Sequence, residues 1–302
     1  MHNFKLIVNP VAGRGAAGRA IPALHKHMSA HGLDYDLVST EKPSDLESMA
    51  KQALADGFET IVAVGGDGTA HGVINGMLDF SDGEPVGTMT AIPLGSGSDF
   101  ANMLGMPAKL DQACARLADG RTRWQDVGVV TDSQGNATYF DNTVGIGFDG
   151  VVTSVAMGIK YLTGMALYLP VVLKTVFVEM KPPRVVIEYD DTRLEQTSLM
   201  IVVCIGQREG GGFIIAPDAS TDDGLFDVCV ARNIPKLQVL GLIPHVMKGT
   251  HVDKEPVTML RTDKLTVTSA DDLIAHVDGE MLCTEERRLE FHILPRHLKV
   301  LY

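Results

Sequence analysis

Short apolar runs and longer amphipathic segments alternate along the first third of the chain. The runs read as strands and are "FKLIVN", "YDLVS", "TIVAV" and "GTMTAIP". The longer segments predict helices near residues 16–31, 43–56, 69–79 and 109–119. This alternation is typical of an α/β domain in which helices cover both faces of a mostly parallel sheet. In such sheets ligands bind beyond the carboxyl ends of the strands.

From about residue 125 the pattern changes to strand-like runs separated by turn residues. The runs are "DVGVV", "ATYFDNTVGIGF", "RVVIEYD", "SLMIVVCIG", "LFDVCVA", "KLTVTSA" and "LIAHV". Turn dipeptides such as Asp223-Gly224 and Asp278-Gly279 lie between runs, as expected for antiparallel strands. Helical insertions are predicted near 150–180 and 235–248. The pattern therefore predicts a second, largely antiparallel β domain.

Composition excludes some classes of partner. The 302 residues include 26 Lys and Arg against 38 Asp and Glu, a net charge of -12. This balance argues against sequence-independent nucleic-acid binding, which needs a basic face, but not against action at a membrane surface. The apolar stretch 164–180 is interrupted by Pro170 and Lys174, so no transmembrane segment is expected. The four cysteines, Cys114, Cys204, Cys229 and Cys283, are scattered along the chain. Their spacing and the absence of a signal-peptide pattern predict a cytoplasmic protein.

The stretch "TIVAVGGDGTAHGVINGML" joins a predicted strand to a predicted helix through glycines that flank a carboxylate. Gly66 and Gly68 let backbone N–H groups approach phosphate oxygens, and the helix N-terminus adds positive potential. Asp67 alone would repel a phosphate, but it suits a site where Mg²⁺ bridges a carboxylate and a polyphosphate. The alternative is that Asp67 is a turn or N-cap residue.

Two further glycine loops follow predicted strands, "NPVAGRG" and "IPLGSGSDFANMLGMP". The first also matches the dinucleotide pattern G-x-G-x-x-G through Gly13, Gly15 and Gly18. That match is weak, because four residues separate it from the strand and the second strand ends in Ser39-Thr40 rather than an acid. A flexible loop is an equally good interpretation, in which Arg14 and Arg19 cover phosphates.

Together, Asn9-Pro10 with Gly13, then "GGDGT", then "PLGSGSDFA" resemble the diacylglycerol kinase catalytic family of bacterial cytosolic lipid kinases, to which sphingosine and ceramide kinases are related. The likeness continues through "YFDNTVGIGFDGVV", "APDASTDDGLFDV" and "HVDGE" and spans nearly the whole chain. It implies a nucleotide-binding α/β domain at 1–125, to which 289–302 returns, and a β-sandwich-like lipid-substrate domain at 126–288. It also implies transfer of the γ-phosphoryl group of ATP to a hydroxyl of diacylglycerol or a related lipid, with Mg²⁺ as cofactor.

The resemblance also assigns roles to individual residues. ATP contacts fall on Asn9, Pro10, Val11, Ala12, Gly13, Thr40, Gly66, Asp67, Gly68, Thr69, Ala70, His71, Gly72 and Ser96. The catalytic carboxylates are Glu280, as general base, and Asp67. A structural metal site falls on Ser220, Asp223 and the backbone carbonyl of Leu225, with Asp99 and Asp126 in its network.

Local chemistry leaves alternatives for several of these residues. Thr40 suits an N-cap of the following helix as well as a ligand contact. Glu280 suits a solvated strand residue after a hairpin turn, and the loop around Asp223 suits a turn with solvated acids. The motifs occurring together in order favour the functional interpretation.

This chain departs from the family pattern at several positions. His71 and Gly72 stand where the family usually has Asn and Glu, Ser98 replaces an Asn, and Asn102 stands where some bacterial members carry Arg. Glycine inside a helix costs about 1 kcal/mol relative to alanine. We therefore expect Gly72→Glu to leave the fold intact and to change the affinity for ATP.

Other functions remain open. An NAD kinase-like phosphotransferase shares the G-G-D-G-T loop, but its Asn-Glu pair occurs nowhere in this sequence. A 6-phosphofructokinase shares the loop and differs downstream. A non-catalytic nucleotide-binding protein would not need Glu280. A lipid acceptor implies that the partner is a membrane surface, which for a cytoplasmic enzyme is the inner face. It also implies an apolar cleft, and residues 164–180 are a candidate wall of that cleft. The oligomeric state is open, a homodimer included.

Overall fold

The computed structural model describes residues 3–157, 171, 174, 175 and 181–302. The chain forms two compact units, Met1–Asp126 with Arg296–Tyr302, and Val127–Pro295. The domain border expected between residues 125 and 126 lies one residue before this division. The C-terminal segment expected to return to the first domain was placed at 289–302, whereas the segment in the first unit begins at Arg296. Within the described part, no helix is long and apolar enough to cross a membrane. All four cysteines are free.

The first unit alternates strands and helices. In chain order it contains β1 (Asn3–Val8), α1 (Ala12–Ala30), β2 (Asp34–Ser39), α2 (Asp45–Ala55), β3 (Thr60–Gly65), α3 (Asp67–Phe80), β4 (Thr88–Pro93), α4 (Asp99–Met103), α5 (Leu110–Asp119) and the start of β5 (Thr122–Thr131).

The strands of this unit pair in the order β2-β1-β3-β4, and each of these pairs is parallel. Beyond β4, the end of the last strand joins the sheet in parallel through Val300, which pairs with Met89. All of β3 is buried, as expected for a strand covered by helices on both faces. Parallel pairing places the carboxyl ends of β1, β3 and β4 at one edge, where the three predicted glycine loops begin.

Helices α2 and α3 pack closely through two glycines of α3. A Cβ atom on Gly72 would lie 2.8 Å from the Cβ of Leu46, and one on Gly76 would lie 2.4 Å from the carbonyl oxygen of Glu47. Gly72 is therefore required by packing against α2, since a larger residue would overlap Leu46. The expectation that glutamate fits at position 72 without disturbing the fold is wrong.

The second unit is built mainly of strands. In chain order it contains the end of β5, β6 (Ala137–Phe140), β7 (Thr143–Gly147), α6 (Phe148–Met157), β8 (Arg184–Tyr189), β9 (Thr192–Cys204), β10 (Arg208–Glu209), β11 (Phe213–Ile214), β12 (Phe226–Arg232), α7 (Lys236–Met247), β13 (Val257–Thr262), β14 (Lys264–Val277) and most of β15 (Glu280–Leu301).

Long strands that change partners give this unit its sandwich-like form. Strand β9 pairs with β8 along its first half and with β7 and β12 along its second half. Strand β14 likewise pairs first with β8 and then with β7, and its pairing with β15 shifts register after Thr268. These pairs are all antiparallel. The expected C-terminal β-sandwich-like domain is confirmed.

The two faces of β9 and β12 serve different cores. Ile201 and Val203 face a core shared with β7, β8, β14 and β15. Leu199 faces a second cluster with side chains of α6 and α7, and Val202 faces a third cluster. Burial on both faces explains why the sequence "LMIVVC" is continuously apolar rather than alternating.

Several expected elements differ from the structure. The predicted insertion near 150–180 begins as α6, but 164–180 lies outside the described residues except for Val171, Lys174 and Thr175. Strand β13 and the first half of β9 were not expected, and β14 is one strand rather than two. The insertion predicted near 235–248 is confirmed as α7.

Candidate functional site

Three glycine loops of the first unit are in backbone contact at the carboxyl ends of β1, β3 and β4. A Cβ atom on Gly13 would lie 2.4 Å from the carbonyl oxygen of Leu94. One on Gly95 would lie 2.2 Å from the Cα of Gly66. Side chains at these positions would force the loops apart. The glycines therefore create a surface of closely spaced backbone, which can place N–H groups beside an anion.

Asp67 lies in the first turn of α3 and joins two of these loops. Its Oδ1 accepts a hydrogen bond from the backbone N–H of Phe100 at 3.1 Å. A Cβ atom on Gly97 would lie 2.6 Å from Asp67 Oδ2, so this carboxylate also faces the second loop. The N-cap of α3 is Gly66, so the N-cap alternative for Asp67 is wrong. The carboxylate orders the loops around the place where phosphates are expected.

We call the surface formed by the three loops the glycine cradle. Polar residues lie at the ends of β1 and β2 and in the first turn of α3. The side-chain amide of Asn9 donates to Thr69 Oγ1 at 3.4 Å, and the Asn9 Oδ1 accepts from the backbone of Val11 at 3.3 Å. Thr40 is buried at the end of β2, and its backbone N–H donates to the Val8 carbonyl at 2.9 Å. The N-cap of α2 is Ser44, so Thr40 does not cap that helix.

The other predicted ATP residues lie on the same loops or on α3. Ala12, Gly13, Gly66 and Gly68 are partly buried, Val11 and Ser96 are exposed, and Ala70 is buried. His71 is partly buried, and its ring nitrogen Nε2 lies 3.4 Å from the side-chain amide of Asn75. Gly72 instead packs against α2. The Ser98 hydroxyl donates to the Gly97 carbonyl at 2.7 Å and does not cap α4.

The start of α1 is not helical. Gly13, Arg14 and Gly15 all have positive φ angles, of 56°, 57° and 80°. The Arg19 guanidinium donates to the Arg14 carbonyl at 3.1 Å and so braces this turn. A Cβ atom on Gly18 would lie 2.9 Å from the Pro10 carbonyl oxygen. The absence of a side chain at Gly18 therefore lets α1 lie close to the loop.

The acids assigned to the metal network are both buried. Asp99 opens α4 and is 8% exposed, and Asp126 is fully buried at the end of the first unit. The Oδ1 of Asp126 accepts the backbone N–H of Arg296 at 2.6 Å. Asp126 therefore anchors the returning C-terminal segment, whatever else it binds.

In the second unit, Glu280 begins β15 directly after a two-residue hairpin turn. Val277 pairs with Glu280, and Asp278 and Gly279 have φ angles of 47° and 84°. The predicted Asp278-Gly279 hairpin turn is therefore confirmed. Glu280 is exposed, so its carboxylate is accessible.

Asp278 fixes this turn through hydrogen bonds of its buried carboxylate. It is 5% exposed, and its carboxylate accepts backbone N–H groups from three consecutive residues: Asp141 at 3.3 Å, Asn142 at 3.1 Å and Thr143 at 3.0 Å. Its own N–H donates to the Thr143 carbonyl at 2.9 Å. The sequence identified Asp278 as a turn residue but not as an anchor, because the segment that donates to its carboxylate lies more than a hundred residues away.

The predicted metal loop is ordered by its own side chains. The Ser220 hydroxyl donates to Asp222 at 2.9 Å, and Asp223 Oδ1 accepts from the Leu225 N–H at 3.1 Å. Asp223 Oδ2 forms an ion pair with Arg261, which also lies 3.3 Å from the buried Asp227. Burial is the main cause that raises the pKa of Asp227. A cation on Asp223 would share this carboxylate with a guanidinium.

An apolar cavity occupies the second unit beside α6, β9 and α7. Its lining includes Phe148, Val152, Leu199, Val239, Leu242 and Ile243. Asp149 and Glu209 supply carboxylates to the lining and His251 an imidazole. Sequence patterns did not single out these polar residues, which come from distant segments.

Family models match both units of the chain. Residues 3–130 match the diacylglycerol kinase catalytic domain, and residues 142–302 match the YegS C-terminal NAD kinase beta sandwich-like domain. The chain belongs to the YegS-like diacylglycerol kinase family. Relatives that align over nearly the full chain are named diacylglycerol kinase or lipid kinase. The protein is therefore a lipid kinase.

Named relatives of this lipid kinase family align over nearly the full chain. Diacylglycerol kinase of Bacillus subtilis is 26% identical, covering 93% of this chain and 90% of the relative. Diacylglycerol kinase of Mycobacterium tuberculosis is 28% identical, covering 98% and 93%. The Pseudomonas aeruginosa protein named "Probable lipid kinase YegS-like" is 30% identical, covering 95% and 91%.

A solved structure shows the same fold. The crystal structure of a diacylglycerol kinase from Bacillus anthracis superposes with a TM-score of 0.75 at 20% identity, covering 100% of this chain and 97% of that one.

Proposed function

We propose that this kinase transfers the γ-phosphoryl group of ATP to a hydroxyl of diacylglycerol or a related lipid. The observation that carries the proposal is the glycine cradle, in which three loops touch backbone to backbone at the ends of adjacent parallel strands. The names of its relatives, diacylglycerol kinase among them, support a lipid acceptor.

The first unit is assigned to ATP. Backbone N–H groups around Gly66 and Gly95, with the positive end of α3, would hold the phosphates. Mg²⁺ prefers oxygen ligands and is commonly held by one or two carboxylates with substrate phosphates. Asp67 supplies a carboxylate at the cradle and so fits this ion, which would neutralise charge on the phosphates when bound.

The second unit is assigned to the lipid. Its apolar cavity beside α6 and α7 is lined by side chains that suit a hydrocarbon chain. We assign Glu280 as the general base that accepts the proton of the acceptor hydroxyl as its oxygen attacks phosphorus. The hydrogen bonds to Asp278 would position Glu280 by fixing the turn that precedes it.

The remaining assignments follow from the same proposal. Ser220, Asp223 and the Leu225 carbonyl would hold a structural Mg²⁺, in competition with Arg261 for the Asp223 carboxylate. Asp99 and Asp126 would be the buried acids of the network assigned to this structural cation. With a lipid acceptor, the enzyme would act from the cytoplasm as a peripheral protein at the inner face of the membrane.

The test is an acceptor competition. The protein is incubated with γ-labelled ATP, Mg²⁺, mixed micelles of diacylglycerol and an equal amount of NAD. The proposal requires label in the organic extract. Label in NADP instead would favour an NAD kinase-like enzyme, and ATP binding without any transfer would favour a non-catalytic nucleotide-binding protein.

A further inference from the structure

Three side chains that the kinase chemistry does not use meet in the interior of the second unit. His276 of β14 directs its Nε2 at Asp149 of α6, 3.0 Å from Oδ2, and at Glu209 of β10, 2.6 Å from Oε1. One nitrogen and two oxygens from these residues lie within 4.8 Å of one another. His276 is fully buried and Glu209 is 7% exposed. We call this group the Asp149–Glu209–His276 cluster.

Glycines make room for the cluster. A Cβ atom on Gly145 of β7 would lie 2.2 Å from Asp149 Oδ2 and 2.3 Å from His276 Nε2. A Cβ atom on Gly150 would lie 2.4 Å from the Ile274 carbonyl oxygen, so this glycine lets α6 lie directly on β14. Any larger residue at Gly145 would overlap Asp149 Oδ2 and His276 Nε2.

The cluster places two carboxyl groups beside one imidazole in a buried position. Burial and the nearby Asp149 carboxylate raise the pKa of Glu209 to about 7. The two carboxylates raise the pKa of His276 well above its usual value, against the effect of burial. The second oxygen of Glu209, Oε2, is buried and has no hydrogen-bond partner among the described residues. A buried polar atom without a partner is destabilising, and a ligand that pairs with it removes that cost.

We propose that the Asp149–Glu209–His276 cluster binds one divalent transition-metal ion of the Zn²⁺ type. One imidazole nitrogen and two carboxylate oxygens form a mixed donor set that suits Zn²⁺ and related ions, whereas Mg²⁺ and Ca²⁺ prefer oxygen ligands alone. A cation would bind Glu209 through Oε2 or Oε1 and would displace the proton that lies between His276 Nε2 and the carboxylates. Three protein ligands leave a coordination position for water or another ligand. Asp149 and Glu209 also line the apolar cavity, so that position lies at its polar end.

This site is separate from the proposed Mg²⁺ sites in both residues and donor chemistry, and its test does not require kinase activity. Chelator-treated protein is titrated with ZnCl₂ by calorimetry in a buffer that contains excess Mg²⁺, which keeps sites made of oxygen ligands occupied. We expect one tight equivalent of Zn²⁺. His276→Asn and Glu209→Gln should each weaken it by more than about tenfold, because a direct ligand contributes at least as much as an outer-shell partner.

Two exposed residues of β15 provide matched controls. His292→Asn and Glu285→Gln make the same chemical changes on the same unit, and neither residue belongs to the cluster. Both control variants should bind Zn²⁺ like the wild type. Co²⁺ serves as a spectroscopic probe, and its visible ligand-field absorption should be present in the wild type and absent in His276→Asn.

Far-UV circular dichroism separates loss of the site from loss of the fold. If His276→Asn is unfolded, Glu209→Gln decides, because glutamine has the shape of the protonated glutamate and should preserve the fold. No tight Zn²⁺ binding by the wild type would overturn the proposal, as would equal binding by the wild type and a folded Glu209→Gln. In either case the cluster is a buried hydrogen-bonded group only.

Discussion

The hydrogen bonds of Asp278 connect the β-sandwich to the proposed catalytic base, and Asp278→Asn tests this connection. Asparagine keeps the shape of the side chain and one acceptor oxygen. It replaces the other oxygen by an NH₂ group, which would face a backbone N–H. With Asp278 5% exposed, water does not replace the lost acceptor.

The expected cost follows from the three donors of Asp141, Asn142 and Thr143. Hydrogen bonds to a charged acceptor contribute about 1.5–3 kcal/mol and those to a neutral one about 0.5–1.5 kcal/mol, and a buried donor without a partner costs about 1–3 kcal/mol. Two weakened bonds, at about 1–1.5 kcal/mol each, and one unpaired donor, at about 1–3 kcal/mol, give a loss of about 3–6 kcal/mol in the free energy of unfolding. Misplacement of Glu280 should also lower kcat by roughly 10²-fold.

The matched control is Asp272→Asn on β14, the strand that leads into the turn of Asp278. Asp272 pairs with Arg287 at 2.8 Å, but the two side chains are 53% and 54% exposed. Such a surface pair contributes only about 0–1 kcal/mol. Urea unfolding followed by circular dichroism gives the two free-energy losses, and hydrogen exchange should show faster exchange of the backbone amides of 141–143 only in Asp278→Asn.

Equal stability of the two variants would refute the reasoning, because it would mean that the buried carboxylate contributes no more than an exposed one. Unchanged exchange at 141–143 would refute it independently. A stability loss without any loss of kcat would leave Asp278 as a structural anchor and remove its role in positioning Glu280.

Three further predictions concern separate parts of the molecule. Glu280→Gln should lower kcat by roughly 10²–10⁴-fold while Mg-ATP affinity, measured by calorimetry, stays unchanged, because only proton acceptance is lost. Gly72→Ala should destabilise the protein by about 1–3 kcal/mol in urea unfolding because its Cβ meets the Cβ of Leu46. Asp223→Ala in Mg²⁺ should lower Tm to that of the chelated wild type if its loop holds a structural cation.

Each of these has an internal comparison. A Glu280→Gln enzyme with wild-type kcat would remove Glu280 from the mechanism. The control for Gly72 is Gly241→Ala in α7, where an added Cβ meets no atom within 4 Å and should be neutral or stabilising. A wild-type Tm that does not respond to chelator would show that the Asp223 loop is a turn held by Arg261.

Local signals were enough to predict that the three glycine loops lie together at one edge of the sheet. Each glycine loop directly follows a strand of the first unit, and parallel pairing then brings strand ends together without further information. The hairpin before Glu280 was also predictable, because Asp-Gly is a strong signal for a two-residue turn.

Features that depend on distant contacts were not predictable. The first half of β9, "TRLEQT", is mostly exposed and polar, so its composition hides a strand that pairing with β8 stabilises. Gly72 is required by Leu46 of another helix, which no local pattern shows. The Asp149–Glu209–His276 cluster joins residues up to 127 positions apart in sequence.

Phosphoryl transfer to a lipid by the wild type and by Asp67→Asn tests the central claim most directly. Each protein is incubated with γ-labelled ATP, Mg²⁺ and diacylglycerol in mixed micelles, and the label in the organic extract is measured after circular dichroism has shown that both are folded. The account predicts a labelled lipid from the wild type and near-background label from Asp67→Asn, since the glycine cradle needs this carboxylate for the metal–nucleotide complex. Equal transfer by the two proteins, or no labelled lipid from the wild type with any acceptor of a lipid panel, would contradict it.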